Sequence, residues 1–196
     1  YGIFYQQPQK EYLKTTMHLD FESATHYVLN YQFQKDKRTF RAEAYYKKYD
    51  NLVKVTDDIN RPLKNDGCGY SMGIDLFWRD TKSLKYADYW VTYSLLDTER
   101  DYRDYPYAAT PSFASGHVIN AVGKYFFAKL HISAGIAYTY ASGRTYFNPN
   151  NPEFLSDKTK DYHNFSANVG YLTNIAGKFT IIYISVENVF GIKNVF

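Results

Sequence analysis

Thr39-Phe40-Arg41-Ala42-Glu43-Ala44-Tyr45-Tyr46-Lys47 is the stretch that decides the fold. Phe40, Ala42, Ala44 and Tyr46 share one side of a two-residue repeat, and Arg41, Glu43, Tyr45 and Lys47 share the other. Successive side chains of a strand point to opposite faces, so this is a strand with one apolar and one charged face. The alternation runs outward in both directions. Upstream, Tyr27, Leu29, Tyr31 and Phe33 alternate with Val28, Asn30, Gln32 and Gln34. Downstream it returns around Ile74, Val91, Ile136, Val169 and Ile184. No stretch carries the 3.6-residue period of an amphipathic helix, so the expectation is an all-β chain.

Composition narrows the class. A chain of 196 residues suits one ordinary domain. Aromatic residues make up 19% of it, with 22 Tyr, 14 Phe and 2 Trp, which excludes a disordered chain. No run approaches the ~18 consecutive apolar residues of a membrane-spanning helix. Cys68 is the only cysteine, which excludes a disulfide framework and a Cys-rich zinc site. The net charge of +3, from 23 basic and 20 acidic residues, is too balanced to point to nucleic acid. The chain opens at Tyr1 inside an expected strand and closes at Phe196 with no tail, which reads as a piece of something longer.

The connections alternate too. Short turns are expected at Lys35–Arg38, Asp80–Ala87, Lys124–Lys129 and Thr173–Gly177. Long loops are expected at Gln7–Thr25, Asp50–Gly69, Asp97–Ser115 and Gly143–Asp161. Antiparallel hairpins joined in this way place every short turn at one end of the sheet and every long loop at the other. That is the layout of an outer-membrane β-barrel, with short periplasmic turns and long extracellular loops. Arg41, Glu43, Asp75 and Glu187 fall in phase with the polar face and would line a wet lumen, where they contact a plug or pair along the wall. Tyrosines near strand ends suit the aromatic girdles of a bilayer.

Nine strands are expected, at 1–6, 26–34, 39–49, 70–79, 88–96, 116–124, 130–142, 163–172 and 178–189. Single-chain bacterial barrels have even counts, so nine strands read as a segment of a larger barrel with two edges left to pair. Two other readings stay open: a small self-contained porin or adhesin barrel, and a soluble carbohydrate-binding β-sandwich.

Arg41 to Val53 (RAEAYYKKYDNLV) resembles the "RxEAYYKxYxxLV" pattern late in the barrels of TonB-dependent outer-membrane receptors. Gly69–Trp78 resembles their "GxxxGxELxxxW" strand, and Asp88–Asp97 the following "WxxYSYLD" strand. Ala141–Tyr146 resembles "xSGRPY", and Val186–Gly191 resembles "VxNVFG" near the family's C-terminus. The Tyr- and Lys-rich character is most similar to receptors of the Bacteroidetes. The resemblance implies residues 1–196 are a C-terminal part of a barrel of about 22 strands in the bacterial outer membrane. It further implies active uptake of a scarce nutrient: a ferric siderophore, haem, vitamin B12 or a glycan. The implied partners are the bilayer and its lipopolysaccharide, the protein's own plug domain, TonB through an N-terminal part, and an extracellular ligand.

No catalytic constellation converges. His18, His26, His117, His131 and His163 lack metal-type spacing, no G-x-S-x-G surrounds Ser112 or Ser115, and Cys68 reads as a free loop thiol. The expectation is therefore no enzyme, no metal and no cofactor. Binding belongs on the long loops. Arg100, Tyr102, Arg103, Tyr105 and Tyr107 interleave charge and aromatic faces, as do Arg144, Tyr146 and Phe147 in the next loop. Such a set suits sugar rings stacking on aromatics or an anionic chelate held by arginines. The same tyrosines also suit packing between neighbouring loops.

Overall fold

The computed structural model describes residues 3–6, 13–16, 19–55 and 63–194. Among them there is no helix. The strands are β1 (Ile3–Gln6), β2 (Leu13–Thr16), β3 (Ser23–Lys35), β4 (Arg38–Lys54), β5 (Lys64–Asp80) and β6 (Ala87–Asp101). There follow β7 (His117–Phe127), β8 (Ile132–Ala141), β9 (Thr145–Tyr146), β10 (Asp157–Lys158), β11 (Tyr162–Ile175) and β12 (Lys178–Val186). Eight of them form one antiparallel sheet in the order β12-β11-β8-β7-β6-β5-β4-β3, a meander of sequence neighbours. β9 and β10 form a small hairpin inside the β8–β11 loop.

Register shows why the two-residue repeat matters. Phe33, Phe40, Trp78, Val91, Ala121, Tyr138 and Phe165 lie side by side across seven strands. One row up run Tyr31, Ala42, Leu76, Tyr93, Ile119, Tyr140 and His163. On the opposite face the matching row is Gln32, Arg41, Phe77, Thr92, Asn120, Thr139 and Asn164. Across these seven strands one face is thus a continuous apolar band and the other a polar wall, whereas the edge strand β12 is apolar on both faces, with Phe179 and Ile181 beside Asn174 and Leu172 on the wall side. The band is uncovered: Ile74 is 43% and Ile184 66% exposed. The buried apolar residues, Leu19, Leu52, Val53, Leu63, Tyr102, Ala109, Ala114 and Leu155, all lie at the long-loop end. A soluble sandwich would bury its apolar face against a second sheet. Here, among the described residues, the apolar face has no second layer, which is the inverted arrangement of a barrel wall facing lipid.

Two of the short turns take the tightest form available. Asp36 and Lys37 have φ of 51° and 65°, and Ala176 and Gly177 have φ of 50° and 73°. Two central residues with positive φ give the turn twist that matches the flanking strands. Thr173, Asn174 and Ile175, read in the sequence as turn, are paired strand residues instead. The turn expected at 124–129 lies at 128–131, because the apolar alternation carries β7 on to Phe127.

Other boundaries move as well. The expected strand 1–6 is not part of the sheet: Ile3–Gln6 pairs with Leu13–Thr16, inside the expected first long loop, and Tyr1 and Gly2 lie outside the described residues. β4, β5 and β6 run on to Lys54, back to Lys64 and on to Asp101, consuming much of the second and third loops. Backbone pairing continues there although the apolar alternation has ended, with register shifts at Asp50, Leu52 and Lys54. β12 stops at Val186, so Glu187 sits in a bend just past the paired strand and not on its lumen face.

Candidate functional site

The polar wall carries a recess lined by Asn30, Arg41, Glu43, Asp75, Phe77, Thr92 and Ser94. Three of the four expected lumen residues therefore converge. They do not pair with each other. Glu43 accepts a hydrogen bond from Asn30 Nδ2 at 2.9 Å, and the Arg41 guanidinium stacks 4.7 Å from the Phe77 ring centre. Among the described residues no ion pair joins Arg41 to Glu43 or Asp75. Arg41 and Glu43 are two apart on one strand, and Arg41 reaches across to β5 instead of along β4.

At the long-loop end the predicted ligand residues divide into two groups. The first is an aromatic seam. Tyr105 stands edge-on to Tyr102 at 4.9 Å and to Phe154 at 5.0 Å. Tyr107 and Phe147 approach the same Phe154 ring at 6.2 and 6.0 Å, and the Tyr107 hydroxyl accepts from the Phe154 N–H at 2.8 Å. Burial pushes the Tyr105 phenol up to about 12. These rings bind the 102–116 loop to the 142–161 loop through Phe154, while Tyr107 and Phe147 stay exposed. Arg103 stacks on Tyr102 at 5.0 Å, and Tyr146 is exposed on β9.

The second group surrounds a recess of about 400 Å³ on the lumen side of the mouth, bounded by Leu96, Phe113, Ser115, Arg144, Lys160 and Tyr162 among others. It has two cations and no carboxylate in its lining. Arg144 donates from Nε to Ser115 Oγ at 3.3 Å, and its N–H is held by Thr159 Oγ1 at 3.0 Å. Asp161 lies beside this recess, not in it. The Gly143 N–H and then the Tyr140 hydroxyl hold its carboxyl below the usual carboxylate range.

Phe113 links the recess to Arg100. The Arg100 guanidinium lies 4.4 Å from the Tyr49 ring centre, 5.4 Å from Phe113 and 5.7 Å from Tyr102. Its Nε is buried without a hydrogen-bond partner. An aromatic cage holds a cation through ring faces and leaves its donors for another group. Sequence reasoning missed Tyr49, Phe113, Phe154, Lys160 and Tyr162. The phase of Tyr49 with Arg41, Tyr45 and Lys47 could have placed it on the lumen face. No local signal marks Phe154, because its partners come from another loop. Among the described residues no cluster of three His, Cys, Asp or Glu is placed to hold a metal ion.

The family model described as "TonB dependent receptor-like, beta-barrel" matches residues 10–189. The closed form of the ferric-catecholate import receptor Fiu from K12 E. coli superposes with a TM-score of 0.67 at 13% identity, covering 88% of this chain and 24% of that one. The FrpB iron transporter from Neisseria meningitidis (F3-3 variant) gives 0.68 at 16% identity, covering 88% and 26%. This chain thus spans about a quarter of the length of those two receptors. A search of the curated proteins finds no match. At such identities the likeness to solved structures shows the fold, and the family match rests on the sequence itself. The chain belongs to the TonB-dependent receptor-like β-barrel family, a family of outer-membrane transport receptors and not of enzymes.

Proposed function

We propose that this chain forms part of the wall and extracellular mouth of an outer-membrane receptor that takes up a scarce nutrient with energy delivered through TonB. The long loops then face outward, the short turns face the periplasm, and a plug domain occupies the space beside Arg41, Glu43 and Asp75. Among the nutrients open to such a receptor, the mouth favours an anionic metal chelate. The observation that carries this is the charge of the lumen-side recess: Arg144 and Lys160 with no lining carboxylate, flanked by caged Arg100 with its unpartnered Nε. A neutral glycan would leave these cations uncompensated, whereas an anionic chelate gives them charge-assisted hydrogen bonds. The two solved relatives, a ferric-catecholate import receptor and an iron transporter by name, fit the same class.

The test uses the full-length receptor containing this chain. Binding of a ferric tricatecholate and of a neutral oligosaccharide is followed by fluorescence quenching, and uptake by cells with and without TonB is followed with labelled iron. TonB-dependent uptake of the chelate, weakened at least tenfold in binding by Arg144→Ala, is expected. Binding of the oligosaccharide alone overturns the ligand class, and uptake that persists without TonB overturns the receptor reading.

A further inference from the structure

We infer that the short-turn rim of this barrel wall is a docking belt for anionic phospholipid headgroups of the inner leaflet. The inference rests on the membrane-spanning reading above, with the short turns on the periplasmic side. Its basis is what remains at that rim once the ion pairs are counted. Three carboxylates lie there among the described residues, and each is already taken. Asp80 accepts from Arg38 at 2.9 Å, Asp88 holds Arg79 at 2.7 Å, and Asp36 holds Lys82 at 2.8 Å. Lys35, Lys37, Lys85, Lys129 and Lys178 are left exposed, with no carboxylate partner among the described residues. At the opposite end the outward face of β6 presents Asp97, Glu99 and Asp101, of which Asp101 is paired with Lys54.

The unpaired lysines are interleaved with bulky apolar side chains. Lys85 stands between Leu84 and Tyr86, which are 57% and 53% exposed, and lies 5.0 Å over the Tyr86 ring. Lys129 precedes exposed Leu130, and Lys178 is paired with exposed Ile175 on the outward face. Lys35 follows Phe33 on the lipid-facing side of β3. Water or an acidic soluble partner would account for the lysines and leave Leu84, Leu130 and Ile175 unexplained. A lipid interface takes both: the apolar groups enter the acyl boundary while the ammonium groups reach the phosphates. Because the lysines have no internal acid to satisfy them, the belt should discriminate by lipid charge.

The experiment compares lipids retained by the full-length receptor. The receptor is reconstituted in an equal mixture of phosphatidylglycerol and phosphatidylethanolamine, gently delipidated, and its bound lipids are counted by native mass spectrometry. Preferential retention of phosphatidylglycerol is expected, by about fivefold per lysine contacted, and shrinking as salt is raised. The triple substitution Lys85→Gln, Lys129→Gln, Lys178→Gln should reduce that preference at least threefold, whereas Lys158→Gln at the other end should leave it unchanged. Equal retention of the two lipids, or a preference indifferent to the triple substitution, overturns the inference while leaving the barrel intact. Release of the receptor from membranes by alkaline carbonate overturns the membrane-spanning reading itself.

Discussion

Ile74 and Ser94 are neighbours in adjoining strands, one in the apolar band and one on the polar wall, and arginine at each separates lipid from water as the medium outside the sheet. Ile74 is in register with Ala44 and Leu95, is 43% exposed, and has no second layer over it among the described residues. It lies six residues from Asp80 at the short-turn end of β5. At ~3.3 Å per residue and a strand tilt of ~40°, that is about 15 Å above the turns, close to the middle of an apolar band ~25 Å tall. Arginine at that depth costs about 2–4 kcal/mol. Ser94 is in register with Asp75 and lines the wet recess that also holds Glu43. Arginine there gains an acidic neighbour and stays hydrated, for a change within about 1 kcal/mol. The assay is equilibrium guanidinium unfolding of the full-length receptor in phosphatidylcholine vesicles, followed by tryptophan fluorescence. The midpoint of Ile74→Arg should fall well below that of Ser94→Arg. Equal midpoints, or a larger loss at Ser94, would refute the assignment of faces.

Two further outcomes follow from single residues. A Cβ at Gly143 would stand 2.0 Å from the Thr159 carbonyl oxygen, a backbone atom that cannot swing aside. Gly143→Val should therefore displace the start of the 142–161 loop at a cost of about 3 kcal/mol or more, seen as protease nicking between Arg144 and Thr159 in an otherwise folded receptor. Asp80 accepts from the Ser83 hydroxyl and N–H, the Lys82 N–H and Arg38, and these hold its carboxyl well below the usual range. A depressed folded pKa contributes stability that is complete above the unfolded value of ~3.9 and is lost as pH falls through the folded one. Asp80→Asn should thus lower stability at neutral pH and flatten its decline below pH ~4; an unchanged acid profile would exclude Asp80 as its source.

The wall of this barrel was legible in the sequence because a period of two is a local property. Phe40, Ile74 and Val91 declare their faces without knowing their neighbours, and the registers then align rows that were each already apolar or polar. What was not legible depended on contacts between segments. The extension of β4, β5 and β6 past the apolar alternation rests on backbone pairing, to which any side chain can contribute. The ligand candidates were chosen by residue type, and that criterion could not separate Arg144, which lines an open recess, from Tyr107, which packs beside Phe154 outside it. Lys160 carried no motif and gained a role only when the loops closed around it. The expected charge pairing of Arg41 failed for a similar reason, since a guanidinium two residues from a carboxylate on one strand has a nearer partner in Phe77 across the pair.

The strand extensions also determine which part of the mouth is preformed. A tilted strand needs ~9–11 residues to cross the bilayer, and β4 and β5 have 17 each and β6 has 15. The surplus extends beyond that length as a three-stranded wall, and the loops lean on it through backbone bonds. Val53 and Val55 exchange bonds with Arg103, and Arg100 exchanges two with Ala109, at 2.8–3.1 Å. Arg100 is therefore a strand residue in a ring cage, not a loop residue waiting to be ordered. Immobilising such a side chain at binding would otherwise cost about 0.5–1.5 kcal/mol. Arg144 is different. Its backbone is tied to Thr159, but its side chain is exposed, and the β9–β10 hairpin beyond it reaches the wall mainly through the Phe154 seam and the Thr145 bond to Thr110. The mouth thus has one cation fixed beside the recess by the sheet, Arg100, and two in the recess lining, Arg144 and Lys160, held by the 142–161 loop.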